Sequence, residues 1–127
     1  MATAPQKGKA IKGDCYVANG RLALDTARGL GPLKQYKDKV VLVHGAALNS
    51  QDYQVMGHCW VEVGSTCYDY SNGRKIKKSK LFYYNMGAID GLMKRGYKQF
   101  RFKGEQIAKT ILKHGHWGPW GNTGAKR

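Results

Sequence analysis

Apolar positions along this chain fall into short patterned runs, separated by stretches rich in glycine and lysine. From Asp14 to Arg28, Cys15, Ala18, Leu22 and Thr26 recur every three or four residues, which is the spacing of one helical face. Asp14 suits the N-cap of that helix, because a carboxylate accepts from the unpaired amides of a first turn. Gly29, Gly31 and Pro32 close it. Val40 to His44 is a continuous β-branched run and predicts a strand buried on both faces. Gly45 to Gly57 reads as a polar loop. Cys59–Val63 and Thr66–Tyr70 predict a hairpin around Gly64 and Ser65, with glycine at the first position of a type II′ turn. Asn72-Gly73 marks a further turn, followed by a basic linker. Leu81 to Leu92 is interrupted by Gly87 and Gly91 and specifies no single element. Tyr97, Phe100 and Phe102 suggest a last strand. Glu105 to His114 predicts a short helix, with Ile107, Ile111 and Leu112 on one side and Gly115 after it.

These elements divide the chain into a basic, flexible lead-in over residues 1–12, one domain over 13–120 and a polar tail over 121–127. At 127 residues, one modest core is expected. No apolar run approaches the roughly 18 residues of a membrane span. The first residues lack the apolar stretch of a secretory signal. Three cysteines without a framework spacing favour a reducing compartment, so the expected location is the cytoplasm, or the host cytoplasm if the chain is phage-encoded. The net charge of +14 attracts polyanions, and its clusters lie at Lys7 to Lys12, Arg74 to Lys80 and Lys94 to Lys103. Nucleic acid and acidic proteins are therefore candidate partners. No helix-turn-helix, zinc-finger or basic-zipper pattern is present.

The chemistry concentrates in three residues. If Gly64 and Ser65 are the two loop residues, Val63 faces Thr66, Glu62 faces Cys67, Trp60 faces Asp69 and His58 faces Ser71. His58, Trp60, Glu62, Cys67, Asp69 and Ser71 then share one side. His58 and Asp69 become diagonal neighbours, within reach of a carboxylate–imidazole hydrogen bond. A slip of one residue would part them. Cys15, at the first helical position, is expected to meet unpaired amides and the positive end of the helix dipole. The three side chains have the makings of a Cys-His-Asp triad: Cys15 as nucleophile, His58 as base, and Asp69 orienting the imidazole. The first-turn amides would stabilise an oxyanion.

Asp14-Cys15 opening a helix, then His58-Cys59-Trp60-Val61-Glu62, then Tyr68-Asp69, resembles the transglutaminase-like branch of the papain-like cysteine hydrolases. The likeness covers about residues 13 to 72. It implies the same three roles for Cys15, His58 and Asp69. Papain-like enzymes often supply an oxyanion donor from a glutamine before the cysteine, which makes Gln6 the candidate here; Asn19, one turn after Cys15, is an alternative polar neighbour. Leu42-Val43-His44-Gly45 and Gly118-Pro119-Trp120 also look like small proteins of phages and mobile elements.

The expected fold is α+β, with a nucleophile helix packed on a mostly antiparallel sheet, papain-like or transglutaminase-like. The expected function is a thiol hydrolase or acyltransferase acting on an amide, ester or isopeptide bond of a peptide or protein, without a cofactor. Cys15, His58, Cys67 and Asp69 are chemically suitable zinc ligands, but no Cys-x-x-Cys or His-x-x-x-His spacing supports a metal. Cys59 is expected in the core, His44 as a core histidine with its hydrogen bonds satisfied, and Trp60 as a shield over the His58–Asp69 pair. Trp117 and Trp120 are expected as core or lid. His114 and His116 flank the last helix. The alternative is a non-enzymatic basic phage accessory protein that binds nucleic acid or a host protein on a cysteine-hydrolase scaffold, supported by the net charge and the mixture of tyrosines and lysines from Tyr83 to Phe102.

Overall fold

The computed structural model describes residues 14–126; Gln6 and the basic lead-in lie outside them. Helix α1 (Asp14–Ala27) is followed by strands β1 (Val40–Leu48), β2 (Val55–Val63), β3 (Thr66–Asp69) and β4 (Ile76–Ser79). Helices α2 (Lys80–Met86) and α3 (Ile89–Lys94), strand β5 (Phe100–Lys103) and helix α4 (Glu105–His114) complete the chain. All pairings are antiparallel, in the order β4-β3-β2-β1-β5. The architecture is α+β.

Alternation along the strands sorts side chains between two cores. Val40 and Leu42 of β1, Cys59, Val61 and Val63 of β2, and Tyr68 of β3 pack with Cys15, Tyr16, Leu22 and Ala23 of α1 and with Ile107 of α4. Val43, Ala47, Trp60 and Cys67 form the opposite core with Tyr83 and Tyr84 of α2 and Ile89 of α3. Helices therefore cover both faces, which explains the near-continuous apolar run of β1.

Three segments depart from expectation. The predicted loop from Gly45 to Gly57 contributes to both strands of a long pair, with Gly45 opposite His58 and Leu48 opposite Val55. Small residues (Gly45, Ala46, Ala47) hid this strand from an apolar-pattern reading; Gly45 is required because a Cβ there would come within 2.9 Å of the Trp60 ring. The basic linker after Gly73 is the edge strand β4, whose lysines mask its period. In α4, Ile107 is fully buried and Ile111 packs on the core, but Leu112 is 82% exposed and lies outside the apolar face.

After α4 the chain returns across the first core. Trp120 stacks on His44 with ring centroids 4.6 Å apart, and Trp117 covers Gly20, where a Cβ would meet its ring at 2.7 Å. Packing continues to Thr123, whose carbonyl accepts from the Lys98 amide. Both tryptophans are half-buried and pack against this core.

Candidate active site

Cys15 and the pair His58–Asp69 start from opposite faces of the sheet. They meet because the β2–β3 ladder stops early. Val63–Thr66, Glu62–Cys67 and Val61–Tyr68 pair in the expected register. The next hydrogen-bonded step would join Cys59 to Tyr70, and there the side chain of Asn19 intervenes. Its Nδ2 donates to the Cys59 carbonyl (2.9 Å), while its Oδ1 accepts from the Tyr70 amide (2.9 Å). One buried amide side chain thus occupies the place of a ladder step, and the backbone groups it separates stay satisfied. The expected continuation of the ladder to Trp60–Asp69 and His58–Ser71 is absent for this reason. The splayed strand ends bring the start of α1 to the end of β3.

Asp69 is the hub. Its Oδ2 accepts from Tyr83 Oη at 2.7 Å and lies 2.9 Å from His58 Nε2. Its Oδ1 accepts from Asn19 Nδ2 at 3.0 Å, from the Ser71 amide at 3.1 Å and from Ser71 Oγ at 2.6 Å. Burial alone would raise this carboxyl, but the hydrogen bond and charge of His58, helped by Ser71 and Tyr83, hold it well below the usual carboxylate range. For His58, burial acts to lower the imidazole; hydrogen bonding to Asp69 and Cys15 and the charges of both outweigh it and bring it up to about 10. With Nε2 committed to Asp69, Nδ1 is the ring nitrogen left for the Cys15 thiol.

The expected N-cap is replaced by a different use of Asp14. This residue is already helical, and its carboxylate accepts from the Asn72 amide at 2.9 Å, tying the turn after Asp69 to the helix start. Cys15 is the second residue of the described helix. It is 9% exposed.

The other cysteines are chemically quiet. Burial pushes Cys59 well above an ordinary thiol, and Cys67 up to about 12. Cys67 sits in the opposite core. Among the described residues, no group of three or more His, Cys, Asp and Glu side chains could hold a metal ion.

Trp60 is fully buried, its ring centroid 6.1 Å from that of His58 and 5.6 Å from that of Tyr83. Its Nε1 donates to Glu62 Oε2 at 2.9 Å. Glu62 also accepts from Tyr84 Oη and from Arg101 at 2.7 Å, with Lys80 3.4 Å away. Burial would raise this carboxyl, and the bonds from Arg101, Tyr84 and Trp60 keep it lowered.

Two partners of Asp69 escaped the sequence reading. Ser71 carried a signal: an Asp two residues before an amide commonly accepts from it in an Asx turn. Tyr83 carried none, since only the packing of α2 brings it to Asp69. The same packing takes Tyr83 and Tyr84 out of the exposed surface between Tyr83 and Phe102, because both are buried and committed to the two carboxylates, while Lys94, Arg95 and Lys98 stay exposed.

His44 also differs from expectation. It is 1% exposed, and neither ring nitrogen has a hydrogen-bond partner. Tyr16, Phe102 and Trp120 enclose it, and burial pushes it down to about 4.

A cavity of about 390 Å³ opens beside His58 and Asp69. Met56, Ile76, Met86 and Ile89 give it apolar walls, and Arg74 supplies a cation. No helix among the described residues is long and apolar enough to cross a membrane. No protein-family model, curated protein or solved structure matches the chain.

Proposed function

We propose that the chain is a thiol hydrolase or acyltransferase acting on an amide, ester or isopeptide bond, with Cys15 as nucleophile, His58 as proton carrier and Asp69 as orienting acid. The observation that carries this reading is the His58 Nε2–Asp69 Oδ2 bond of 2.9 Å, at an imidazole near enough to the Cys15 thiol for that thiol to help raise it. Separately, each residue has an ordinary structural explanation. Together they form an acid-supported proton acceptor beside the least enclosed of the three buried thiols.

The partners favour imidazolium at His58, which is the form that pairs with a thiolate. In the proposed cycle the Cys15 thiolate attacks the carbonyl carbon, and the carbonyl π-electrons move to oxygen. First-turn amides of α1 stabilise that oxyanion. Collapse expels the amine or alcohol, which takes the proton of imidazolium His58, and leaves a thioester on Cys15. Neutral His58 then accepts a proton from water or an acceptor amine as it attacks the thioester. A second collapse releases the product and restores the thiolate–imidazolium pair. Asp69 keeps Nε2 protonated throughout and offsets the charge on the ring. The resemblance of the Cys15, His58 and Asp69 order to the papain-like and transglutaminase-like enzymes supports the same reading.

Rapid mixing with p-nitrophenyl acetate tests it. The expected result is a burst of p-nitrophenol stoichiometric with enzyme and an acetyl group located on Cys15 by mass spectrometry. Both should vanish in Cys15→Ala. Acetylation confined to lysines, unchanged in that variant, would rule the reading out.

A further inference from the structure

We infer that the open edge of β4 is a docking strand for an extended, acidic segment of polypeptide. Three observations converge on it. First, β4 ends the sheet, and among the described residues no strand pairs with its outer side. Its unpaired N–H and C=O groups match a peptide added as a further strand. Second, the edge is strongly cationic. Lys75, Lys77 and Lys78 are exposed, and among the described residues none forms an ion pair with a carboxylate. Each ammonium instead rests over an aromatic ring: Lys75 over Tyr70 (5.8 Å), Lys77 over Tyr68 (5.9 Å) and Lys78 over Phe82 (5.1 Å). These rings order the lysines along both sides of the strand. Third, the edge leads to the candidate site. Ile76 pairs with Asp69, and Arg74 and Ile76 line the cavity beside His58. Met86 lines the same cavity and is 48% exposed. Leu81 and Phe82, at the start of the same helix, are 73% and 51% exposed.

Charge selects the occupant. A second copy of this chain, at +14, is repelled from a lysine edge. An acidic strand is attracted, and its alternate apolar side chains can contact Leu81, Phe82 and Met86. Nucleic acid would use the cations but leave the N–H and C=O groups of the strand edge unpaired and Leu81 and Met86 without an apolar partner. As a binding surface the edge stands on its own geometry. As the route by which substrate reaches His58 it rests on the proposed hydrolase activity, which makes the substrate class an acidic protein segment.

The test uses the full chain and a fluorescein-labelled decapeptide of alternating Glu and Val, read by fluorescence anisotropy. Lys77→Glu/Lys78→Glu should weaken binding about tenfold or more, as removal of two charge contacts implies. Lys94→Glu/Lys98→Glu, an equal charge change away from β4, should weaken it much less. Hydrogen exchange should slow across residues 76–79 when the peptide binds; this readout needs no variant. Equal weakening by both pairs, or peptide binding without protection of those amides, would overturn the proposal. So would oligo-dT or phosphatidylserine vesicles binding tighter than the peptide through Lys77 and Lys78. Alkylation of Cys15 is measured separately, so loss of the hydrolase reading and loss of the docking strand give different results.

Discussion

Two histidines on neighbouring strands show how one side chain acquires opposite properties in one sheet. His44 and His58 are both shielded from solvent, and burial pushes each toward its neutral form. At His44 nothing opposes that push: the ring is stacked on Trp120, both nitrogens lack partners, and the imidazole falls to about 4. At His58 a carboxylate and a thiol reverse it, and the imidazole rises to about 10. Burial alone thus makes an inert aromatic filler; burial with Asp69 makes a stored proton. The same contrast separates the two carboxylates of the hairpin. Each receives a tyrosine hydroxyl from α2, Tyr83 for Asp69 and Tyr84 for Glu62. Glu62 is closed by Arg101 and Lys80, cations that keep their charge at neutral pH, whereas Asp69 is paired with a side chain that can release its proton.

The strongest way to break this comparison is to remove the charge that distinguishes His58. Asp69→Asn keeps the shape of the hub but not its charge. Acylation of Cys15 by p-nitrophenyl acetate should fall by about 100-fold or more. The His58 ring, followed by NMR, should titrate far below its wild-type value. Glu62→Gln serves as the control and should leave both readouts near wild type. A loss of acylation in Glu62→Gln equal to that in Asp69→Asn would erase the distinction between the two carboxylates.

His44 yields the next largest effect, this time on stability. Its folded value of about 4 lies below the ordinary 6.5, so the unfolded chain binds the extra proton between those values. Its contribution is fully present above pH 6.5 and is lost as the pH falls toward 4, on the order of 3 kcal/mol in all. Asp69 does not obscure this window, because its contribution is lost only below the ordinary carboxylate value near 3.8. His58 acts on the other side: its contribution is present below 6.5 and lost as the pH rises toward 10. Urea unfolding from pH 4 to 6.5 should therefore show stability rising with pH in the wild type, and a flatter profile in His44→Phe. Identical profiles would mean that His44 is hydrated in solution.

Tyr83→Phe sharpens the comparison at smaller scale. It removes one donor from Asp69 and leaves four hydrogen-bonding atoms around the carboxylate, counting His58. The expected cost is about 1.5–3 kcal/mol of stability, the range for a hydrogen bond to a charged group. Acylation should slow only several-fold. A loss as large as that of Asp69→Asn would make Tyr83 itself a carrier of the reacting proton.

Much of the fold was legible where local chemistry and tertiary packing agree. The Gly64-Ser65 turn set the β2–β3 register, and the spacing of Cys15, Leu22 and Thr26 showed part of the buried face of α1, whereas Ala18 is only half-buried and Tyr16 and Ala23 complete the core side. Legibility failed where small or charged residues build strands: Gly45-Ala46-Ala47 extends β1, and the lysines of β4 hide an edge. The candidate site was legible in its reacting residues and silent about their support. Asn19 stood out only as a polar neighbour of Cys15; its position between Cys59 and Tyr70 follows from how α1 crosses the strand ends, which no local pattern encodes. Tyr83 belongs to a segment whose glycines obscured its helices. His44 looked satisfied because a core histidine ordinarily has a partner, and aromatic enclosure without one has no local signature.

The most direct test of the central claim is the rate of iodoacetamide alkylation against pH, with the modified cysteine located by mass spectrometry, in the wild type and in His58→Ala. The account predicts selective alkylation of Cys15 that is already fast near pH 6, with Cys59 and Cys67 untouched, and a marked slowing at that pH in the variant. Alkylation that climbs about tenfold per pH unit toward the ordinary thiol range near 8.5, identically in both proteins, would contradict it.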